Sequence, residues 1–258
     1  MTAATRIRAM TLLALMGTAG SAAAAEIRVY CTGAPAHAVR TIASDFAAQT
    51  GHRLTFIVGQ PATIEADLAA GAKADVVILP SPVIATMKNS GALRTDSAID
   101  LARVGIGVVV RNGARRPDIS NAAAIRKLLL EARSVVYPDP QSGGGSAGRA
   151  IAHMIDQMGV TETVRPKLTL TSAIGGGVDL VANGKAAIGL FNISEILPIK
   201  GAALVGPLPS ELQTYIVFDA AIPAGAAAPE PAASFIKALA APAERRAWRK
   251  AGMEPLAQ

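Results

Sequence analysis

The sequence predicts a two-lobed α/β chain in which each lobe is a mostly parallel sheet flanked by helices and the lobes are joined by crossing strands. Three observations carry this expectation. Strand-like and helix-like runs alternate along most of the chain, the order that builds parallel sheets covered by helices. Midway, Val104-Gly-Ile-Gly-Val-Val-Val-Arg111 is a β-branched run long enough to pass out of one sheet toward another. The length of 258 residues, with 51% hydrophobic and 17% charged side chains, supplies a core for one large domain or two smaller lobes.

Taken in order, strands are expected over 27–31, 53–57 and 75–79, each followed by a helix, over 36–50, 64–70 and 82–89. In the first helix Val39, Ile42, Ala43, Phe46 and Ala47 share one face, and Gly51 supplies the stop. The run 104–111 then crosses to a second series: helix 121–132, strand 134–137, a glycine-rich loop, helix 147–158, strand 167–170, helix 177–183 and strand 187–191. The segment 213–219 is read as the return crossing, and helices 231–240 and 243–250 as packing back on the first lobe around Phe235 and Trp248. The expected division is 26–106 with 217–258 as lobe 1 and 107–216 as lobe 2, with a ligand cleft between them.

Residues 1–25 stand apart. Arg6 and Arg8 precede the apolar run 10–16 and a small-residue stretch that ends at Ala25, the layout of a cleavable export leader. The apolar run is too short to span a bilayer, which takes about 20 residues. Net charge is +6, spread along the chain, and aromatic residues are 3%; this argues against stacking platforms for nucleic-acid bases. Cys31 is the only cysteine, so no internal disulfide forms. His37, His52 and His153 have no ligand-type partner at helical spacing, so no metal site and no cofactor are expected.

The segments fit to bind a ligand are loops where a strand hands over to a helix. The strongest is Tyr137-Pro-Asp-Pro-Gln-Ser-Gly-Gly-Gly-Ser-Ala-Gly148, in which Ser142, Gly144, Gly145 and Ser146 offer hydroxyls and open backbone N–H groups at a helix start. It lacks the Gly-Lys-Ser/Thr ending of a nucleotide-binding loop. Three more loops have the same character: Thr32-Gly33-Ala34, Gly59-Gln60-Pro61-Ala-Thr63 and Ile174-Gly175-Gly-Gly177. Together they suggest a cleft with two rims from each half of the chain. Each also reads as an ordinary turn. Nucleophilic catalysis finds little support, because Ser142 and Ser146 lack Gly-x-Ser-x-Gly spacing; a secreted hydrolase using one of them with His37 stays open as a rival.

Tyr30-Cys-Thr-Gly-Ala34, Phe46-Ala-Ala-Gln-Thr-Gly51, Gly71-Ala-Lys-Ala-Asp75 and the closing Gly252-Met-Glu-Pro255, taken with the leader, resemble the periplasmic molybdate-binding proteins of ABC importers. The resemblance runs over nearly the whole chain after the leader, with Gly71-Ala-x-Ala-Asp75 its most specific piece. It implies a type II periplasmic binding protein fold, no enzymatic activity, a monomer working with an ABC transporter permease in the inner membrane, no nucleic-acid partner, and a molybdate- or tungstate-like oxyanion held in the cleft. The family's ligand positions fall at Ala34, Gln60, Gly145, Ile174 and Asn192. Gly145 and Ile174 keep the backbone donors, whereas Ala34, Gln60 and Asn192 replace two serines and a tyrosine. A small organic carboxylate is therefore the alternative ligand.

Overall fold

The computed structural model describes residues 24–141, 145–172 and 176–256. The first half is a β/α alternation: β1 (Glu26–Cys31), α1 (Gly33–Thr50), β2 (Arg53–Val58), α2 (Pro61–Ala69), β3 (Val76–Pro80) and α3 (Ser81–Asn89). The long β4 (Ile99–Arg111) follows, then α4 (Ala122–Glu131), β5 (Val135–Pro138), α5 (Gly145–Gln157), α6 (Thr161–Val164), β6 (Leu168–Thr171), α7 (Gly176–Ala182), β7 (Ile188–Asn192) and α8 (Ile193–Ile196). The chain closes with β8 (Ala202–Pro207), β9 (Tyr215–Ala221), α9 (Pro229–Ala240), α10 (Arg245–Lys250) and β10 (Glu254–Pro255).

Local chemistry explains the elements. Alternating burial along β1 and complete burial of β3 follow their apolar runs. In α1 the residues Val39, Ile42, Ala43 and Phe46 are buried along one face, and Gly51 ends the helix at φ +73°, a left-handed conformation that glycine adopts without steric cost. Asn121 caps α4 by accepting the Ala124 N–H at 2.9 Å.

The strand order is β2-β1-β3-β9-β4-β7-β5-β6, with β8 and β10 also paired to β4. Pairing is parallel within β2-β1-β3 and within β6-β5-β7. It is antiparallel wherever β4 or β9 takes part. Two parallel sheets are thus stitched together by one shared strand: Ile99 to Gly105 of β4 pair with β9, and Ile106 to Arg111 with β7 and β8. The expected run 104–111 is the second part of this strand, which starts at Ile99. Four elements escaped the sequence reading: α6, α8, β8 and β10. In β8, Ala-Ala-Leu-Val-Gly-Pro has too few large apolar residues to read as a strand and is held by the ladder to β4. β9 pairs only with β3 and the first part of β4, so residues 208–214, ahead of it, carry the chain back.

At that return Gln213 takes the place of a strand partner. Its Oε1 accepts the Ile106 N–H at 2.8 Å and its Nε2 donates to the Ile106 carbonyl at 3.0 Å. The C-terminal helices lie on α1, with the Phe46 and Phe235 rings 5.2 Å apart and Trp248 fully buried, its Nε1 donating to the Leu239 carbonyl at 2.9 Å.

Candidate functional site

In both sheets the carboxyl ends of the parallel strands point at one cleft, the position where open α/β sheets take ligands. It is open to solvent and holds about 560 Å³ of atom-free space, the solvent at its mouth included. On one side stand Thr32, Gly33 and Ala34 after β1, Gln60 and Pro61 after β2, and Pro80 at the end of β3. On the other stand Pro138 at the end of β5, Gly145, Ser146 and Ala147 in the first turn of α5, Thr171 at the end of β6, and Phe191, Asn192 and Glu195 at the end of β7 and in α8. Ile216 and Phe218 of β9 complete the lining.

The donors arise from the way strands pass into helices. Thr32 is the N-cap of α1, and no side-chain capping bond is made there. The first N–H groups of α1, from Gly33 and Ala34, therefore lack helical partners. α5 opens on Gly145 at φ +68°, a value that glycine tolerates and other residues rarely adopt. α5 also runs unusually close to the end of β5. A Cβ on Gly148 would lie 2.4 Å from the Pro138 carbonyl oxygen, so only glycine lets the first turn reach the cleft.

Two features span or polarise the cleft. Gln60, from the loop after β2, donates its Nε2 to the Ser172 carbonyl at 2.9 Å, a hydrogen bond between the two sides. Glu195 is a half-buried carboxyl in a lining that otherwise offers only neutral groups, with no Lys, Arg or His among the described lining residues. Burial pushes the Glu195 carboxyl up to about 7, opposed by the hydrogen bond from Asn192. That bond, Asn192 Nδ2 to Glu195 Oε2, is 2.9 Å long. Asn192 is itself buried, and its Oδ1 has no partner.

Of the residues singled out from the sequence, Thr32, Gly33, Ala34, Gln60, Pro61, Gly145, Ser146 and Asn192 line this one cleft. Ser142, Gly144, Ile174 and Gly175 lie outside the described residues. His37 is exposed on α1 and does not line the cleft. Cys31 is fully buried in β1, and burial pushes its thiol well above the ordinary range, which leaves it unreactive. The sequence reading missed Glu195. Its signal was a carboxyl placed three residues past the polar end of an otherwise apolar strand, in Asn192-Ile-Ser-Glu195.

Comparison with known proteins agrees with this architecture. The aconitate isomerase of a Pseudomonas species is 28% identical over 223 residues, 84% of this chain and 83% of that protein. The molybdate-binding protein ModA of Rhodobacter capsulatus is 24% identical over 255 residues, 96% of this chain and 95% of that protein. The periplasmic molybdate-binding protein of Azotobacter vinelandii superposes with a TM-score of 0.71 at 19% identity, over 90% of this chain and 100% of that one. The fold is that of the type II periplasmic binding proteins. Residues 27–254 match the family model of the bacterial extracellular solute-binding proteins, and the chain belongs to that family.

Proposed function

We propose that the protein is the periplasmic solute-binding component of an ABC importer, and that it captures a small organic anion bearing a carboxylate and delivers it to a membrane permease. In this reading residues 1–25 direct export. Residues 26–106 with 217–258, and residues 107–216, act as two lobes that close on the ligand by bending at the β4 crossing and at residues 208–214. A ligand touching both sides binds the closed form best, and that difference in affinity shifts the population.

Glu195 carries the choice of ligand class. A tetrahedral dianion such as molybdate offers only acceptors and needs donors on every side. Here one side of the cleft holds a carboxyl group. An organic anion can place its carboxylate against the N–H groups of α1 and α5 and turn another part of its surface toward Glu195. The aconitate isomerase relative, named for an organic acid, supports the same direction. The relation to ModA supports the inorganic oxyanion as second reading. The hydrolase reading loses support because His37 stands away from the cleft.

The deciding experiment is a thermal-shift and calorimetric screen of the mature protein against mono-, di- and tricarboxylates, molybdate, tungstate and sulfate. A ligand that binds only the folded state raises the melting temperature by mass action. A carboxylate that binds while molybdate and tungstate do not is the expected result; the reverse overturns the proposal. Unchanged NMR spectra of each bound carboxylate after long incubation are expected of a carrier, and conversion to an isomer would make the protein an enzyme.

A further inference from the structure

Resting on the reading of the cleft as an organic-anion site, we infer that its ligand carries a hydroxyl group, and that Asn192 together with Glu195 selects for it. Buried polar groups in folded proteins almost always have a hydrogen-bond partner, and each exception calls for an explanation. Asn192 is 6% exposed and lines the cleft, yet its Oδ1 is unpartnered. The orientation of the amide follows from its neighbour. The carboxylate of Glu195 accepts hydrogen bonds, so the Asn192 Nδ2 faces it at 2.9 Å and Oδ1 is left on the other side of the amide. Glu195, which also lines the cleft, adds a second group that accepts.

The cleft therefore has two poles. The donor pole consists of the first-turn N–H groups of α1 and α5 with the hydroxyl of Ser146. The acceptor pole consists of Asn192 and Glu195 at the end of β7. A simple carboxylate satisfies the first and leaves the second unpaired. A hydroxy acid satisfies both, its carboxylate taking the N–H groups and its hydroxyl hydrogen going to the acceptor pole. Sites built to bond a substrate hydroxyl discriminate against the analogue that lacks it, because the site's own buried groups are then stranded.

The test uses ligand pairs that differ only by the hydroxyl: L-malate with succinate, citrate with tricarballylate and lactate with propionate. Calorimetry at pH 8, where Glu195 is ionised, should find a pair in which the hydroxy acid binds at least about tenfold more tightly. In Asn192→Leu that ratio should fall toward one, and in Glu195→Gln, which exchanges one accepting oxygen for an amide donor, it should fall by several-fold, with melting curves showing that each variant is folded. Glu195→Gln keeps the shape of the side chain and so remains informative if Asn192→Leu fails to fold. Equal affinity within every pair, or a ratio that persists in a folded variant, overturns the inference while leaving the organic-anion reading standing. Binding of molybdate or sulfate and of no carboxylate overturns that reading and the inference with it.

Discussion

Asp75, the residue closing the most specific motif of the family resemblance, has a structural role. It is 2% exposed; its Oδ2 accepts the Arg28 N–H at 2.9 Å, and its Oδ1 accepts those of Ala227 and Ala228 at 2.8 and 2.9 Å. One carboxylate thus ties β1 to the segment that starts α9. Asp75→Ala strands three N–H groups and is expected to cost about 3 kcal/mol or more, read as a lowered denaturation midpoint. Glu195 and Asp219 behave differently, since both are pushed up, to about 7 and about 6. For Asp219 burial is the main cause, helped by Asp100 beside it in the β4-β9 ladder and opposed by the Ser81 hydroxyl, which donates at 2.6 Å. A carboxyl that holds its proton more tightly when folded contributes stability in full below its unfolded value and loses that contribution as pH rises through the folded value. For Asp219 the window runs from 3.8 to about 6. Asp219→Asn should therefore be more stable than the parent at pH 8, by on the order of 1 kcal/mol, with the gap closing toward pH 4. Thermal melts of both proteins across that range check the sign. By the same linkage the affinity for an anion should decline as pH rises through about 7, where Glu195 ionises. Titration calorimetry between pH 6 and 8 should show this in the parent and not in Glu195→Gln.

The elements that build the cleft depend on small residues and on one unusual clamp. α5 reaches the cleft because Gly148 allows it to pass over the Pro138 carbonyl. Gly148→Ala forces the helix outward, with a cost of about 1–3 kcal/mol from overpacking and a loss of affinity from the displaced N–H groups. A crystal structure of the variant would show α5 moved away from β5. The clamp is Gln213, which holds both backbone groups of Ile106 where β4 leaves one sheet for the other. A Cβ on Gly105 would lie 2.9 Å from the Gln213 Nε2, so glycine there makes room for the clamp. Gln213→Ala leaves the partly buried Ile106 N–H unpaired, while the Ile106 carbonyl keeps the Leu208 N–H at 3.0 Å, and is expected to cost about 1–3 kcal/mol. Faster amide hydrogen exchange at Ile106 is the direct readout.

At the scale of the molecule the Gln60 bond to the Ser172 carbonyl joins the loop after β2 to the segment after β6, and under the proposed two-lobe closure it is the link that bears on opening and closing. Gln60→Ala removes that bond from the closed form, and affinity should fall by about three- to tenfold with little change in melting temperature of the free protein. Small-angle scattering should show ligand-driven compaction in both proteins and a higher ligand concentration needed to reach it in the variant. Unchanged affinity would mean that the bond is made equally in the open form.

Much of this molecule was legible in the residues themselves. Apolar periodicity in α1, the apolar run of β3, the β-branched residues of β4, and glycine and hydroxyl residues at strand ends are local signals, since burial and helix starts impose them on short stretches of chain. They sufficed for the α/β class and for seven residues that line the cleft, from three separate loops, while Asn192 came from the family resemblance alone. What they left out depends on neighbours distant in sequence. β8 exists because β4 offers it a ladder, and Gln213 looks like an ordinary loop glutamine until Ile106 is beside it. Glu195 is one acidic residue among many until folding removes its water and places it in the same cleft as the first turns of α1 and α5. Which segments could fold into strands, helices and donor-rich loops follows from side chains within a few residues of one another. That an acceptor pair, Asn192 with Glu195, shares the cleft with those donors follows from the folded arrangement, because burial, and the change of charge and hydrogen bonding it brings, is set by chain segments that meet only when the whole molecule closes up.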